Sequence, residues 1–160
     1  MIFITIGSQF PFDRLIRAVD QVAPKLDTDA IIAQAGTSNY TALNIEMLDF
    51  VSPTDFETYF NQADLIIGHA GMGTIITALE LNKPIIVMPR LKKYGEVTTD
   101  HQLATVKELE KLNYTYIAYN ETELQTKLVS LYKTGLKPLH KINKYASHQL
   151  LDSIGAFIKS

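Results

Sequence analysis

Short runs of apolar residues alternate with longer amphipathic stretches along the whole chain. Two of these runs, at positions 64–68 and 83–89, are almost continuously apolar, as expected for strands that are covered on both faces. Strands that alternate with helical segments form parallel sheets, because each crossover helix returns the chain to the same end of the sheet. The pattern therefore predicts an α/β fold: a Rossmann-like, mostly parallel six-stranded sheet with helices on both faces.

The periodicity places the individual elements. Apolar runs predict strands at 3–6, 29–33, 45–51, 64–68, 83–89 and 114–119, and a spacing of three to four residues predicts helices at 12–23, 54–62, 71–82, 100–112 and 123–133. Ser52 or Thr54 can cap the second helix, and Asn120 or Thr122 the last of this set. A further apolar stripe predicts an amphipathic C-terminal helix at about 138–159. We expect residues 1–160 to form a single domain.

Composition excludes several functional classes. Hydrophobic residues make up 46% of the 160 residues and charged residues 20%, which is typical of a globular protein. The net charge of -2 disfavours nucleic-acid binding, and the absence of cysteine excludes disulfides, zinc knuckles and cysteine nucleophiles. No run of 18 apolar residues is present, so we expect no membrane span.

The turn at positions 68–74, with the sequence GHAGMGT, is the most informative motif. It joins a buried strand to a helix, where glycines let the backbone approach a ligand and the helix amides attract phosphate. Thr74 can add a hydroxyl donor. The alternative is a tight turn without a ligand. The turn matches neither a Walker loop nor the dinucleotide fingerprint, because no Gly-Lys-Ser/Thr follows and the first strand ends in Gly7-Ser8-Gln9.

Other loops at the carboxyl ends of the strands carry polar residues. Gly7-Ser8-Gln9 can face the same crevice or form an exposed turn, and His69 is either structural or functional. His101 and Gln102 begin a helix and can bind sugar hydroxyls or a pyrophosphate. The basic loop from Arg90 to Glu96 is either solvated or able to close on an anionic ligand.

Three segments together resemble a known family. The sequences HAGMGT at 69–74, KPIIVMPR at 83–90 and DHQL at 100–103 are similar to the C-terminal half of MurG-type glycosyltransferases. They resemble more closely the small subunit related to the catalytic subunit of the eukaryotic dolichol-linked UDP-N-acetylglucosamine transferase. The loop at 90–96 is especially similar to the bacterial PssE-like branch, which acts in capsule and exopolysaccharide synthesis.

The resemblance implies half of a GT-B enzyme. This chain would be the donor-binding, C-terminal-type domain, and a separate, membrane-anchored, PssD-like protein would bind a lipid-diphosphate-linked saccharide as acceptor. The chain would then be cytoplasmic and held at the inner face of the cell membrane by that partner. By the same resemblance, a set of residues would contact the UDP-sugar: Gly7, Ser8, Gln9, Val51, His69, Gly71, Met72, Gly73, Thr74, Thr77, Arg90, His101 and Gln102.

One position departs from the family pattern. Related transferases often carry an acidic residue one turn into the helix that follows the glycine-rich turn, where it binds the ribose hydroxyls, and this chain has Thr77 there. Thr77 can hydrogen-bond a ribose hydroxyl but supplies no carboxylate. Either ribose binding is weaker, or Glu80 is recruited, or the donor is held differently.

The expected reaction is transfer of a hexose or hexuronic acid from a UDP-sugar without a metal or other cofactor. Helix amides, Thr74 and Arg90 would stabilise the departing UDP, and His69 is the in-chain candidate for the base, although the partner is the better source. Two alternatives stay open. The chain could be a non-catalytic subunit that stabilises a membrane transferase, or an unrelated sugar-nucleotide enzyme, which the missing dinucleotide glycines disfavour.

Overall fold

Six parallel strands form one sheet within residues 1–143, the part of the chain that the computed structural model describes. The spatial order is β3-β2-β1-β4-β5-β6, and every neighbouring pair is parallel. The strands are β1 (Ile2–Thr5), β2 (Ile31–Gln34), β3 (Glu46–Leu48), β4 (Leu65–His69), β5 (Ile85–Met88) and β6 (Tyr116–Ile117). The predicted fold class is therefore confirmed.

The helices cover both faces of this sheet. Within residues 1–143 they are α1 (Asp13–Val22), α2 (Pro53–Gln62), α3 (Met72–Glu80), α4 (His101–Lys111) and α5 (Glu121–Thr134). Ser52 caps α2 by accepting a hydrogen bond from the Asp55 amide, and Asn120 caps α5 by accepting one from the Glu123 amide. These contacts decide between the two caps that the sequence allowed for each helix.

The sheet separates two apolar cores. Side chains of α1 and α5 pack on one face, against β-strand residues such as Ile4 and Ile67. Helices α2, α3 and α4 pack on the other face, against Phe3, Ile66 and Val87. Alternate residues of β1, β4 and β5 thus enter opposite cores, which explains why these strands are apolar throughout.

The order of the strands reverses direction at β1. This strand pairs with β2 on one side and with β4 on the other, so that Thr5 lies opposite both Gln34 and Gly68. The chain leaves β1 and β4 toward opposite faces of the sheet, and the two loops diverge at their carboxyl ends. In sheets of this type, that point forms a crevice in which ligands bind.

Three predicted boundaries are wrong. Strand β6, predicted at 114–119, is limited to Tyr116 and Ile117. Strand β3 is limited to three residues, because it lies at the edge of the sheet and Asp49 and Phe50 are exposed. The C-terminal helix does not begin at residue 138: residues 138–143 are not helical, and the Ile142 amide donates to the Leu79 carbonyl over 3.3 Å. The rest of that predicted helix lies outside the described residues. In the described part of the chain, none of the helices is long and apolar enough to cross a bilayer.

Candidate functional site

The imidazole of His69 packs between two glycine turns at the carboxyl ends of β1 and β4. A Cβ atom added to Gly71 would lie 2.2 Å from Nε2 of His69, and one added to Gly7 would lie 3.0 Å from Cε1. Gly7 also has a φ of +73°, a conformation that favours glycine. The structure thus brings together three residues that the sequence analysis assigned to the site: Gly7, His69 and Gly71.

His69 is held in its neutral form. Burial lowers its pKa to about 4, and the positive charge of Arg90 acts in the same direction, against an opposing contribution from the Thr5 backbone. Its Nδ1 atom is buried and has no hydrogen-bond partner among the described residues. An imidazole with this pKa is neutral at pH 7 but only weakly basic, so it is better suited to hydrogen bonding than to general-base catalysis.

The N-terminus of α3 lies next to this histidine. Gly71 is the N-cap and no side chain caps the helix. The first backbone hydrogen bond of α3 runs from the Ile75 amide to the Gly71 carbonyl, over 3.2 Å. Within residues 1–143, the amides of Met72, Gly73 and Thr74 therefore have no acceptor. Such amides, together with the helix dipole, form an anion-binding position.

Small residues keep the entrance to α3 open. A Cβ on Gly73 would meet nothing within 4 Å, whereas one on Gly68 would lie 3.1 Å from the Thr5 carbonyl oxygen. Gly68 therefore permits the close approach of β1 and β4, while Gly73 leaves space above the helix. Met72 is 48% exposed, although it is a large apolar side chain. Ligand contacts by Met72, Gly73 and Thr74 stay predictions.

Thr77 lies one turn further along α3. Its hydroxyl donates to the Gly73 carbonyl of the same helix over 2.9 Å, which leaves the oxygen lone pairs as its free hydrogen-bonding capacity. Thr77 and Glu80 line a groove of about 410 Å³ between α2 and α3, together with Phe56, Phe60, Glu57 and Leu81. Glu80 thus lines the same groove as Thr77.

Arg90 follows β5 and is almost entirely buried, with 3% exposure. Its guanidinium donates to the carbonyls of Ile6 and Phe10 and lies 5.3 Å from the ring centroid of Phe12. Burial lowers the pKa of Arg90 to about 10, with Glu96 acting in the opposite direction, so the side chain is still cationic at pH 7. This placement disfavours the direct donor contact that the sequence analysis assigned to Arg90, because the guanidinium bonds to backbone instead.

The loop that follows Arg90 is fastened to the domain. Glu96 is 8% exposed, and its carboxylate accepts hydrogen bonds from Nε and NH2 of Arg14 at 2.9 and 3.0 Å and from the Leu91 amide at 2.9 Å. Arg14 also donates to Glu121 and to the Pro89 carbonyl. The expectation of a solvated loop agrees with the exposure of residues 92–95 and is wrong at Glu96, which is buried and bound to the domain. Closure on an anionic ligand stays a prediction.

The start of α4 joins this arrangement through Gln102. Its side-chain oxygen accepts a hydrogen bond of 3.0 Å from the Arg90 amide, which connects α4 to the end of β5. His101, one residue earlier, is exposed.

The remaining predicted site residues follow β1 and β3. Ser8 and Gln9 are exposed in the turn after β1, and Val51 is partly buried just before α2. The structure places Val51 after β3, the edge strand of the sheet, three strands away from β4.

Sequence reasoning missed several residues at this edge of the sheet. Arg14 and Glu96, which fix the loop after β5, are 82 residues apart, so no local pattern connects them. Phe50 is 56% exposed, and its ring lies 3.2 Å from the position of a Cβ on Gly36. An exposed aromatic residue directly before Val51 could have been singled out as a surface on which a ligand ring stacks.

Other features of the described surface do not coincide with this site. A groove of about 650 Å³ between α1 and α5 is lined by Gln21, Lys25, Gln125 and Lys133 among others, and by none of the predicted site residues. Within residues 1–143, no group of three or more His, Asp and Glu side chains is arranged to hold a metal ion. Transfer without a metal stays a prediction.

Comparison with known proteins identifies the family. Residues 1–154 match the family described as "Glycosyltransferase family 28 C-terminal domain". The UDP-N-acetylglucosamine transferase subunit ALG13 of Candida albicans is 42% identical over 82 residues, which are 51% of this chain and 26% of that protein. The matched segments span between 10% and 30% of the length of the curated relatives.

Solved structures share the fold. The NMR solution structure of ALG13 superposes with a TM-score of 0.60 at 21% identity, covering 96% of this chain and 93% of that chain. The crystal structure of Acinetobacter baumannii MurG gives a TM-score of 0.56 at 24% identity, covering 83% of this chain and 40% of that one. The similarity to MurG is thus confined to less than half of that protein. With the match over residues 1–154, the chain belongs to the glycosyltransferase family 28 C-terminal domain family.

Proposed function

We propose that this chain is the donor-binding subunit of a two-component GT-B glycosyltransferase that uses a UDP-sugar. The observation that carries the proposal is the N-terminus of α3, where the amides of Met72, Gly73 and Thr74 have no acceptor in the described structure. These amides lie beside His69 at the point where the strand order reverses. A diphosphate is the anion best matched to several parallel amide donors and a helix dipole.

We assign the remaining contacts of the donor by the resemblance to the family. Ser8 and Gln9 would face the diphosphate, Val51 would bind the uracil through its backbone, and His101 and Gln102 would bind the sugar. Thr77 would accept a hydrogen bond from a ribose hydroxyl, since its own proton is given to the Gly73 carbonyl. Glu80 in the same groove supplies the carboxylate that position 77 lacks.

The proposed division of chemistry assigns leaving-group stabilisation to this chain. Charge that develops on the departing UDP would be stabilised by the amides of α3 and the hydroxyl of Thr74. Because the pKa of His69 is lowered to about 4, we assign the base that activates the acceptor to the partner subunit and hydrogen bonding to His69. No metal or other cofactor takes part in this scheme.

The proposed setting rests on analogy with the relatives and on the resemblance of the loop at 90–96 to the bacterial branch. ALG13 is named as a transferase subunit, and we propose by analogy that a membrane-anchored, PssD-like protein supplies the acceptor site and holds this chain at the cytoplasmic face of the membrane. The acceptor would be a lipid-diphosphate-linked saccharide, and the product would serve capsule or exopolysaccharide synthesis. The transferred sugar would be a hexose or hexuronic acid, in line with the PssE-like loop at 90–96.

Ligand-observed NMR tests donor binding on the protein alone. Saturation transfer from the protein to the ribose and uracil protons of UDP is expected, with weaker transfer to UMP, because UMP lacks the second phosphate. CMP serves as the control for the base. The absence of transfer at millimolar UDP would exclude the proposed function.

A non-catalytic, stabilising role is the second candidate, and the replacement of the acidic residue by Thr77 favours it. Sugar transfer by the complex with the co-expressed partner separates the two, with UDP-galactose and UDP-glucuronic acid compared with UDP-N-acetylglucosamine. A donor-binding role predicts that H69A and G71V strongly reduce the rate of sugar transfer. H140A, which lies outside the site, should leave that rate unchanged. Full activity of both site variants would favour the stabilising role.

A further inference from the structure

The side chain of Arg90 hydrogen-bonds to both ends of the turn between β1 and α1. The guanidinium of Arg90 donates to the carbonyl of Ile6, directly before Gly7-Ser8-Gln9, and to that of Phe10, directly after it. These bonds connect residues that are 84 and 80 positions apart in the chain. One guanidinium nitrogen, Nη2, donates to both carbonyls. The planar, pre-organised group loses less side-chain entropy for each hydrogen bond formed than the flexible amine of a lysine.

The same residue joins the other loops of the site. Its backbone amide donates to the Gln102 side chain at the start of α4, and its guanidinium packs on the ring of Phe12. Its positive charge also acts on His69 at the end of β4. Arg90 is therefore in contact with, or electrostatically coupled to, three of the segments assigned to the donor: the turn after β1, the end of β4 and the start of α4.

The positive charge of Arg90 is not neutralised by a direct ion pair. Within residues 1–143, no carboxylate lies within 4 Å of its guanidinium, because the nearby carboxylate of Glu96 is paired with Arg14. A buried cation of this kind is costly unless its environment compensates for the lost solvation. A diphosphate bound on the other side of the Gly7–Gln9 turn would be such a compensating charge.

We propose that Arg90 is a positioning residue of the donor site, which holds the turn Gly7-Ser8-Gln9 in its ligand-binding conformation and places a positive charge behind it. The inference rests on the proposed function, since the anion is the diphosphate of the donor. Arg90 does not touch that diphosphate. It acts through the turn and through His69.

Three variants test the proposal by titration with UDP, followed through backbone amide signals. R90Q removes the charge and leaves one nitrogen donor in place of three, R90K keeps the charge, and K107Q removes an exposed charge of α4 as a matched control. We expect R90Q to weaken UDP binding by about tenfold or more, R90K to recover part of that loss, and K107Q to stay within about twofold of the wild type. In the free R90Q protein, the amide signals of Ser8 and Gln9 should shift.

The outcomes separate this inference from the proposed function. If the wild type does not bind UDP, the proposed function fails, and the Ser8 and Gln9 signals still decide whether Arg90 holds the turn. If R90Q binds UDP as K107Q does, or if the Ser8 and Gln9 signals stay in place, the positioning role is excluded.

A measurement on the wild type makes the test independent of whether R90Q folds. A turn held at both ends should have NMR order parameters for Ser8 and Gln9 near those of the adjacent strand, about 0.85. Values below about 0.6, typical of flexible backbone, would contradict the proposal.

Discussion

Nε2 of His69 lies 2.2 Å from the position that a Cβ atom on Gly71 would occupy, so the contact between these residues is possible only with glycine at position 71. The backbone of Gly71 has a φ of -86°, which any residue can adopt. The requirement for glycine is therefore steric and arises from the histidine. It explains the sequence His69-Ala70-Gly71 at the end of β4.

The first prediction concerns this contact. G71A should lower the free energy of unfolding by roughly 1–3 kcal/mol, because the added methyl group displaces an imidazole that Gly7 confines on its other side. Denaturant unfolding measures the change. The control is G73A, whose methyl group would meet nothing within 4 Å and would favour the helix by up to about 1 kcal/mol. Equal stability of the two variants would contradict the proposed packing.

The second prediction concerns the buried ion pair between Arg14 and Glu96. E96Q should destabilise the domain by roughly 3 kcal/mol, because it leaves a guanidinium of low exposure without its bidentate partner. It should also increase amide exchange in the loop, since the Leu91 amide donates to the same carboxylate. Thermal and denaturant unfolding together with hydrogen exchange measure both effects.

The matched control for E96Q is E108Q, which removes a surface pair with Lys111. Both side chains of that pair are more than 65% exposed, and its loss should cost less than about 0.5 kcal/mol. If E96Q were as mild as E108Q, the loop would not depend on Glu96.

The fold could be predicted from the sequence because the continuous apolar runs at β4 and β5 and the helical spacing between them are local signals. The position of the glycine-rich turn, between a buried strand and a helix, could be predicted for the same reason. The long-range contacts that hold the loops of the candidate site in place could not be predicted from the sequence. Arg90 and Ile6 are 84 residues apart, and Glu96 in a polar loop has the composition of a surface residue, so neither carries a periodic signal of its burial.

The third prediction concerns the pH dependence of stability. The pKa of His69 is lowered from 6.5 to about 4 in the folded state, so the unfolded chain binds the proton more readily. The contribution of His69 to the free energy of unfolding is therefore fully present above about pH 6.5. It is lost as the pH falls toward 4 and changes no further below that. The total is about 3 kcal/mol. The imidazole signals of His69 in an NMR titration measure the pKa directly.

The stability of H69N provides the comparison for this titration. Its decline between pH 6.5 and 4 should be smaller than that of the wild type, because the other titrating groups are common to both proteins. A His69 pKa near 6.5 in the folded protein, or identical declines, would show that the imidazole is not buried as described.

The fourth prediction concerns the loop between β2 and β3. The buried carboxylate of Asp20 accepts hydrogen bonds from the Tyr40 hydroxyl and the Asn44 amide, both at 2.7 Å. Y40F should cost about 1 kcal/mol and should raise the pKa of Asp20, because burial alone raises it and the Tyr40 hydrogen bond opposes that effect. The control is Y59F, whose ring stacks on Phe3. An Asp20 pKa unchanged in Y40F would contradict this arrangement.

The central claim is that the N-terminus of α3 binds the diphosphate of a UDP-sugar. Its most direct test is a titration of the isotope-labelled protein with UDP, followed through assigned backbone amides. The account predicts saturable shifts that are largest at Met72, Gly73 and Thr74, with further shifts at Ser8 and Gln9 and none along α5. Shifts confined to the groove between α1 and α5, or no shifts at millimolar UDP, would contradict it.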